Sequence, residues 1–146
     1  MKKNILFSFI LPAYKSTFFE QAIKSILSQT YSNFELIIVD DDSPHKLKEI
    51  VDKFNDKRIT YYKNKTNIGG QNLVKQWNHC IEYAKGDYTI LAADDDLYSP
   101  DFLSESLELI NKYPDINVIR GRVQNIDDKD RIIKNEIQLS EFISFD

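Results

Sequence analysis

The sequence has few of the residues that build covalent or metal-bound frameworks. It contains one cysteine, Cys80, and two histidines, His45 and His79. No intrachain disulfide can form, which is typical of a protein from a reducing compartment, and we interpret Cys80 as a small buried hydrophobic residue. A histidine metal site needs several ligands at motif spacing, so we interpret both histidines as structural.

The sequence also lacks a basic stretch and a long apolar run. Its 19 basic and 23 acidic residues give a net charge of -4, so nucleic acid is not an expected partner. No segment approaches the roughly 20 apolar residues of a transmembrane helix. The run at residues 5–11 has only the minimum length of a signal-peptide core, is interrupted by Ser8 and is not followed by a small-residue cleavage site, so we interpret it as a buried first strand. We therefore expect a cytoplasmic protein, or one bound peripherally at the inner face of a membrane.

Apolar runs and helical periodicities alternate along the chain. Runs at residues 5–11, 34–39, 59–62 and 88–92 predict four strands, and a segment of helical spacing follows each of them. This alternation is typical of a parallel sheet with helices on both faces. We predict an α/β fold, a Rossmann-like three-layer α/β/α sandwich with a mostly parallel central sheet, in one domain at residues 1–146.

Local signals predict where the first two helices begin. Ser16 or Thr17 is the expected N-cap of the first helix, because both hydroxyls can accept a backbone hydrogen bond. Ser43 is the expected N-cap of the second helix, with Pro44 as its first residue and an end near Asn55.

Glycines mark the boundaries of the third helix. Gly69 and Gly70 precede it in a loop and permit either a positive φ or a close approach of the backbone, and Gly86 is expected to stop it. The residues expected on the apolar face of this helix are Leu73, Trp77, Cys80, Ile81 and Ala84.

The sequence after the fourth strand predicts a helix followed by two strands. A fourth helix should open at Ser99, Pro100 and Asp101, and residues 117–126 and 131–139 are predicted strands, which we interpret as a hairpin. The sequence ends without an obvious stop, so we expect that it was cut from a longer protein. The oligomeric state stays open.

Two aspartate triplets follow predicted strands, at residues 40–42 and 94–96. Ligands bind at the carboxyl ends of strands in open α/β sheets. Aspartates also form turns and caps, but two triplets at one edge of a sheet favour a binding site. The second triplet suits Mn²⁺ or Mg²⁺, which take carboxylate and phosphate oxygens. A carboxylate of the first triplet suits an imide N–H of a base or ribose hydroxyls.

These motifs carry a family resemblance. The segments that carry it are FILPAYKS, SILSQTYSNFELIIVDDDS, NIGGQN and WNHCIEYAKGDYTILAADDDLYSPD. They resemble the donor-binding half of the family-2 inverting glycosyltransferases, which have the A-type glycosyltransferase fold, also called the nucleotide-diphospho-sugar transferase fold. The resemblance covers residues 5–113 and implies a metal-dependent transfer of sugar from a nucleoside diphosphate sugar, usually a UDP-sugar, to an acceptor hydroxyl on a glycan or a lipid-linked acceptor.

The resemblance also implies roles for individual residues. Pro12, Ala13 and Tyr14 would wall the base, and Asp40 and Asp41 would contact the base and ribose. Asp94 and Asp96 would form the family's D-x-D motif. The donor-binding residues that it implies are Pro12, Ala13, Tyr14, Asp40, Asp41, Gly69, Gly70, Asn78, Asp94 and Asp95, and the implied metal ligands are Asp96 and Asp94.

The sequence departs from the family pattern at three positions. Asp42 replaces the usual glycine, which an aspartate tolerates because it reaches left-handed backbone conformations. Ala93 stands where many relatives have an aspartate, so the metal motif can shift by one residue and make Asp95 the ligand. Trp77 stands where many relatives have an arginine ahead of Asn78, and we interpret it as a core residue.

The catalytic base has no clear candidate. An inverting transfer needs a general base for the acceptor hydroxyl, and the resemblance implies a carboxylate C-terminal to the metal motif. Glu136 and Glu141 lack a convincing context, so we expect the base beyond Asp146 and donor binding alone from this chain. The alternatives are a non-catalytic nucleotide-sugar-binding or interaction domain and, more distantly, a receiver domain, although Pro12 and its neighbours replace the acidic pair that a receiver has after its first strand.

Overall fold

The structure is a computed structural model that describes residues 4–135. The chain divides into two compact units, Met1–Pro114 and Asp115–Asp146. The first unit contains the parallel sheet and both aspartate triplets, and the second contains a hairpin.

Four parallel strands form the sheet of the first unit. They are β1 (Phe7–Ala13), β2 (Phe34–Asp40), β3 (Ile59–Lys63) and β4 (Tyr88–Leu91), in the order β3-β2-β1-β4. The two central strands are almost wholly buried, as expected for continuously apolar parallel strands with both faces covered. The predicted parallel sheet is confirmed.

Helices follow the strands and cover both faces of the sheet. They are α1 (Phe19–Leu27), α2 (Leu47–Val51), α3 (Leu73–Ile81) and α4 (Phe102–Lys112). Neighbouring residues of a strand point to opposite faces: Ile10 packs in one cluster with Cys80 of α3, whereas the Phe9 ring lies 6.3 Å from that of Phe102 in α4. The three-layer prediction and the buried, hydrophobic role of Cys80 are both confirmed.

The predicted caps of the first two helices are wrong. The N-cap of α1 is Phe18, which makes no side-chain cap bond, so neither Ser16 nor Thr17 has that role. The N-cap of α2 is Lys46, and α2 is shorter than predicted, since it ends at Val51. The Ser43 hydroxyl donates instead to the Tyr14 carbonyl at 2.5 Å and accepts from the His45 N–H at 3.1 Å. The Ser43 hydroxyl therefore binds the loop after β1 and does not cap α2, contrary to the sequence prediction.

The apolar face of α3 also differs from the prediction. The buried residues of α3 are Gln76 and Cys80, whereas Leu73, Trp77 and Ile81 are exposed to 52%, 36% and 41%. The helix ends at Ile81 rather than at Gly86. Gly86 has another role, because a Cβ there would lie 2.6 Å from the Leu6 carbonyl oxygen, and the backbone can pass β1 this closely only without a side chain.

The second unit contains an antiparallel hairpin of β5 (Gln124–Ile126) and β6 (Ile132–Asn135). The hairpin prediction is confirmed, but residues 117–123 are not a strand. The end of the predicted second strand, Glu136 and Glu141 lie outside the described residues. In the part of the chain that the structure describes, no helix is both long and apolar enough to cross a membrane.

Candidate functional site

A cleft of about 510 Å³ opens at the carboxyl edge of the sheet. Its volume is in the usual range of small-molecule sites. The predicted site residues that line it are Pro12, Ala13, Tyr14, Asp41, Gly69, Gly70, Asp94 and Asp96. The predicted site residues Asp40, Asn78 and Asp95 are not among its lining residues. The strand ends therefore bring most of the predicted set together, from segments far apart in the sequence.

Asp41 lies at the centre of a hydrogen-bond network. It is 4% exposed, and its Oδ1 accepts from Asn64 Nδ2 at 2.7 Å and from the Ile68 N–H at 2.9 Å. Its Oδ2 accepts from the Gly69 N–H at 2.7 Å. A buried carboxylate is stable only when it is hydrogen-bonded in this way. Asp41 thus fixes the loop before α3 against the end of β2, while it still borders the cleft.

Asp40 faces the framework rather than the cleft. It is 1% exposed, and its carboxylate accepts from the Ser43 N–H at 2.7 Å and from the Tyr61 hydroxyl at 2.5 Å. Burial, and then the hydrogen bond and charge of Asp40, raise the pKa of Tyr61 well above its ordinary value. Asp40 therefore stabilises the turn that carries the first triplet, and the residue that borders the cleft is Asp41.

Asp42 has a left-handed backbone, with φ of 54°. Its family counterpart is the glycine named by the resemblance, and aspartate is among the non-glycine residues that reach this conformation most easily. The turn is thereby kept without a glycine.

Gly69 and Gly70 are needed for close approach and not for positive φ. Neither has a positive φ. A Cβ at Gly69 would lie 2.9 Å from Asp41 Oδ2, and one at Gly70 would lie 2.8 Å from Asn67 Oδ1. The Gly70 N–H itself donates to Asn67 Oδ1 at 2.5 Å. Of the two roles that the sequence leaves open, the structure selects the close approach.

Asp94 connects the second triplet to the loop after β1. Its Oδ2 accepts from the backbone N–H groups of Tyr14 and Lys15, each at 2.8 Å. This pair of bonds holds residues 14 and 15 in place, and α1 begins only after them, at Phe19. The same carboxylate lines the cleft.

Asp95 and Asp96 are exposed and have different surroundings. Asp95 Oδ2 lies 3.6 Å from Lys15 Nζ, and both of these side chains are largely exposed. Asp96 lines the cleft, and partial burial, followed by the charges of Asp95 and Asp94, raises its pKa. Because like charges raise the pKa of Asp96, a cation beside it would relieve the repulsion.

The donor set at this point fits a hard divalent cation only in part. Asp94 and Asp96 supply carboxylate oxygens, which Mn²⁺ and Mg²⁺ prefer. Within residues 4–135 no group of three or more His, Cys, Asp or Glu side chains is placed to hold a metal. A cation bound by one or two carboxylates needs further oxygen ligands, such as those of a diphosphate and water.

Asn78 and Trp77 lie differently from their expected places. Asn78 borders a separate surface depression together with His79 and Glu82, so it is not positioned as a cleft contact. Trp77 lines the cleft and is 36% exposed, so its interpretation as a core residue is wrong. The sequence signal for a position in the cleft is the arginine that the resemblance implies at this place, ahead of Asn78.

The sequence pattern does not predict one buried polar residue beside the cleft, Gln76. Gln76 is 1% exposed and lines the cleft. Its Oε1 accepts from Asn64 Nδ2 at 2.9 Å, and the same Nδ2 donates to Asp41. A glutamine at an interior helix position gives no such signal in a hydrophobic pattern, because the pattern predicts apolar residues there.

Solved structures with similar folds contain nucleotide ligands. The structure of Staphylococcus aureus TarS residues 1–349 in complex with UDP-GlcNAc matches with a TM-score of 0.68 and 26% identity, over 74% of this chain and 32% of that one. The mannosyltransferase PcManGT of Pyrobaculum calidifontis, in complex with GDP-Man and Mn²⁺, matches with a TM-score of 0.62 and 19% identity, over 71% of this chain and 32% of that one. The second likeness shows the fold alone.

Sequence comparisons identify glycosyltransferases as relatives of this chain. The Escherichia coli protein named "Putative colanic acid biosynthesis glycosyl transferase WcaA" is 41% identical over 107 residues, 71% of this chain and 37% of the relative. The glycosyltransferase GlyG of Streptococcus pneumoniae is 32% identical over 86% of this chain and 41% of its own length. The chain thus spans about two fifths of these relatives. The family model described as Glycosyl transferase family 2 matches residues 8–145, and the chain belongs to that family.

Proposed function

We propose that this chain binds a nucleoside diphosphate sugar, most simply a UDP-sugar, together with Mn²⁺ or Mg²⁺. In a longer enzyme it would serve the metal-dependent, inverting transfer of the sugar to a hydroxyl of a glycan or lipid-linked acceptor. The observation that carries the proposal is the cleft itself, whose lining includes the acidic pair Asp94 and Asp96 and the buried, hydrogen-bonded Asp41.

The residues that line the cleft suit both parts of such a donor, the nucleoside and the diphosphate. Pro12 and Ala13 at the end of β1, with Tyr14, form a wall beside Asp41, where a base and ribose would lie. Asp96, with Asp94, would hold the cation beside the diphosphate. The cation, when bound, neutralises charge on the diphosphate leaving group. Family membership and the UDP-GlcNAc complex of TarS support a uridine donor.

The exposed Trp77 adds an apolar surface to the same cleft. Aromatic and apolar walls with a few fixed polar groups are typical of ligand sites. Asn78, Asp40 and Asp95 are left with lesser roles, because none of them is among the residues that line the cleft.

A second candidate is a nucleotide-sugar-binding domain that does not catalyse transfer. The observation that favours it is the small number of carboxylates in the cleft and the roles that they already have. Among the described residues, its only acidic lining residues are Asp41, Asp94 and Asp96. Asp41 accepts three hydrogen bonds, and the other two are assigned to the cation, so none is left as the general base of an acceptor hydroxyl.

Calorimetry with UDP and UDP-sugars tests donor binding. The chain should bind UDP more tightly with Mn²⁺ than in EDTA, and Asp96→Ala should remove the part of the affinity that depends on metal. Asp128→Ala, an exposed aspartate in the other unit, is the matched control and should bind as the parent does. Absence of UDP binding in the presence of Mn²⁺ would reject the proposal. Sugar transfer by a longer chain would then separate the two candidates.

A further inference from the structure

Gln76 holds a buried donor that has no partner in the described part of the chain. Its side chain is 1% exposed and borders the cleft. Its Oε1 accepts from Asn64 Nδ2 at 2.9 Å, but its Nε2 makes no hydrogen bond. A buried amide N–H without an acceptor is unfavourable, so a protein keeps one only where something else completes it.

The orientation of this amide is fixed by a carboxylate. Asp41 accepts from the backbone N–H groups of Ile68 and Gly69 and from Asn64 Nδ2, so Asn64 must turn its NH₂ group toward Asp41. The same NH₂ group then donates to Gln76. A flipped Gln76 would place two donors against each other, and its Nε2 is therefore the group without a partner.

Asn64 holds the Gln76 amide next to the Asp41 carboxylate, because its Nδ2 donates both to Gln76 Oε1 at 2.9 Å and to Asp41 Oδ1 at 2.7 Å. Gly69 lies against both residues: a Cβ there would be 2.9 Å from Asp41 Oδ2 and 3.6 Å from the Cβ and Cγ of Gln76. Asp41 Oδ2 accepts one hydrogen bond, from Gly69, and a carboxylate oxygen can accept a second. A ligand edge with a keto oxygen next to an N–H would complement this pair. Uracil has such an edge, whereas cytosine presents an amino group and a ring acceptor in its place.

We propose that Gln76 is a specificity-determining residue of the cleft. Its Nε2 donates to the 4-keto oxygen of a uracil base, whereas the amino group of cytosine is a donor and cannot accept this bond. This inference rests on the proposed function, because it assigns the base-recognition part of the same site.

Two variants test the proposal by opposite changes. Gln76→Leu removes the donor and should weaken UDP binding about tenfold, with a smaller effect on CDP, so that the preference for UDP falls. Gln76→Glu keeps the acceptor for Asn64 and replaces the donor by a second acceptor, so it should move the preference toward CDP. Gln71→Leu, at an exposed glutamine in the loop before α3, is the control and should leave the ratio unchanged. Affinities are measured by calorimetry with UDP and CDP in the presence of Mn²⁺.

A ligand-side probe needs no substitution. The diphosphate of 4-thiouridine, which keeps the N3–H and has sulfur, a weaker hydrogen-bond acceptor, in place of the 4-keto oxygen, should bind the unaltered chain more weakly than UDP. Gln76→Glu, which offers no donor, should remove this difference. Thermal unfolding of each variant shows whether it is folded; if Gln76→Leu is not, Gln76→Glu and the analogue decide.

The outcomes separate this inference from the proposed function. If the unaltered chain binds neither UDP nor CDP, the donor-binding proposal fails and this one fails with it. If UDP binds but the UDP-to-CDP ratio is the same in the parent, Gln76→Leu and Gln76→Glu, only the role of Gln76 is overturned. Equal loss of both nucleotides in Gln76→Leu would mean that Gln76 merely supports the loop.

Discussion

The two aspartate triplets have the same sequence but differ in the burial and the hydrogen-bond partners of their carboxylates. In the first, Asp40 and Asp41 are 1% and 4% exposed, and backbone or side-chain donors occupy both carboxylates. In the second, Asp95 and Asp96 are more exposed, and partial burial, followed by the charges of Asp95 and Asp94, raises the pKa of Asp96.

The triplets differ in the groups that compensate the negative charge of their carboxylates. In the first triplet, N–H and hydroxyl donors compensate the buried Asp40 and Asp41, and Lys63 Nζ lies 3.8 Å from both Asp40 and Asp42. Asp40 and Asp41 therefore belong to the framework. The second is compensated only in part, by Lys15 and by two backbone N–H groups on Asp94. Its remaining charge favours a cation from solution. Substitutions should therefore lower stability most at the first triplet, whereas at the second they should weaken ligand binding without a large loss of stability.

Asp41→Ala should have the largest effect. It leaves the N–H groups of Ile68 and Gly69 and the amide of Asn64 without their acceptor, so we expect the free energy of unfolding to fall by about 3 kcal/mol. Urea denaturation measures it. Asp95→Ala is the control at an exposed aspartate, and an Asp41→Ala protein as stable as that control would contradict the framework role.

Asp96→Ala should leave the fold intact and weaken metal-dependent binding. Removing a carboxylate whose charge the neighbours disfavour should not lower the free energy of unfolding. The affinity for UDP in Mn²⁺ should fall about 100-fold, since even the residues that support a metal ligand contribute up to that factor. Denaturation and calorimetry on the same sample measure the two effects. A large loss of stability would show that Asp96 also stabilises the fold, and would contradict the difference drawn between the two triplets.

Tyr61→Phe sharpens the first half of the comparison. It deletes the hydroxyl that donates to Asp40 at 2.5 Å, so a buried carboxylate loses one donor and the free energy of unfolding should fall by about 1.5 kcal/mol. UDP affinity should change little, because Asp40 is not among the cleft-lining residues. The readouts are the midpoint of urea unfolding and the UDP titration. A variant that keeps its stability but loses UDP would move Asp40 from the framework to the site.

Asp95→Asn should have the smallest effect and settles the register of the metal motif. Its pair with Lys15 at 3.6 Å is exposed, so stability should change by less than about 0.5 kcal/mol. If Asp96 is the ligand, calorimetry with Mn²⁺ and UDP should give nearly the parent affinity. A loss as large as that of Asp96→Ala would instead make Asp95 the ligand.

The sequence predicts the sheet well because buried parallel strands are continuously apolar. β1 and β2 lie where the runs at residues 5–11 and 34–39 place them, within a few residues. The position of the triplets follows from the same pattern, since carboxyl ends of parallel strands meet at one edge. Most of the predicted cleft residues are therefore in place, including Pro12 at the end of β1.

The errors come from contacts between distant segments, which local patterns do not contain. Ser43 has the chemistry of an N-cap, but the Tyr14 carbonyl accepts its hydroxyl hydrogen bond. Trp77 has helical spacing with Cys80, yet α3 is rotated so that Gln76 is buried and Trp77 borders the cleft. Only the Asn64 amide makes a buried glutamine acceptable there, and this partner lies 12 residues away in the sequence.

The bonds from Asp94 to Tyr14 and Lys15 have a consequence for the order of folding. They join residues 80 and 79 positions apart, and these residues become neighbours only when β4 has paired with β1. Closing so long a segment is entropically costly and belongs to slow, non-local assembly. We therefore expect the cleft wall at Tyr14 and the acidic edge at Asp94 to form together, so that recovery of ligand binding during refolding follows that strand pairing rather than the formation of the helices.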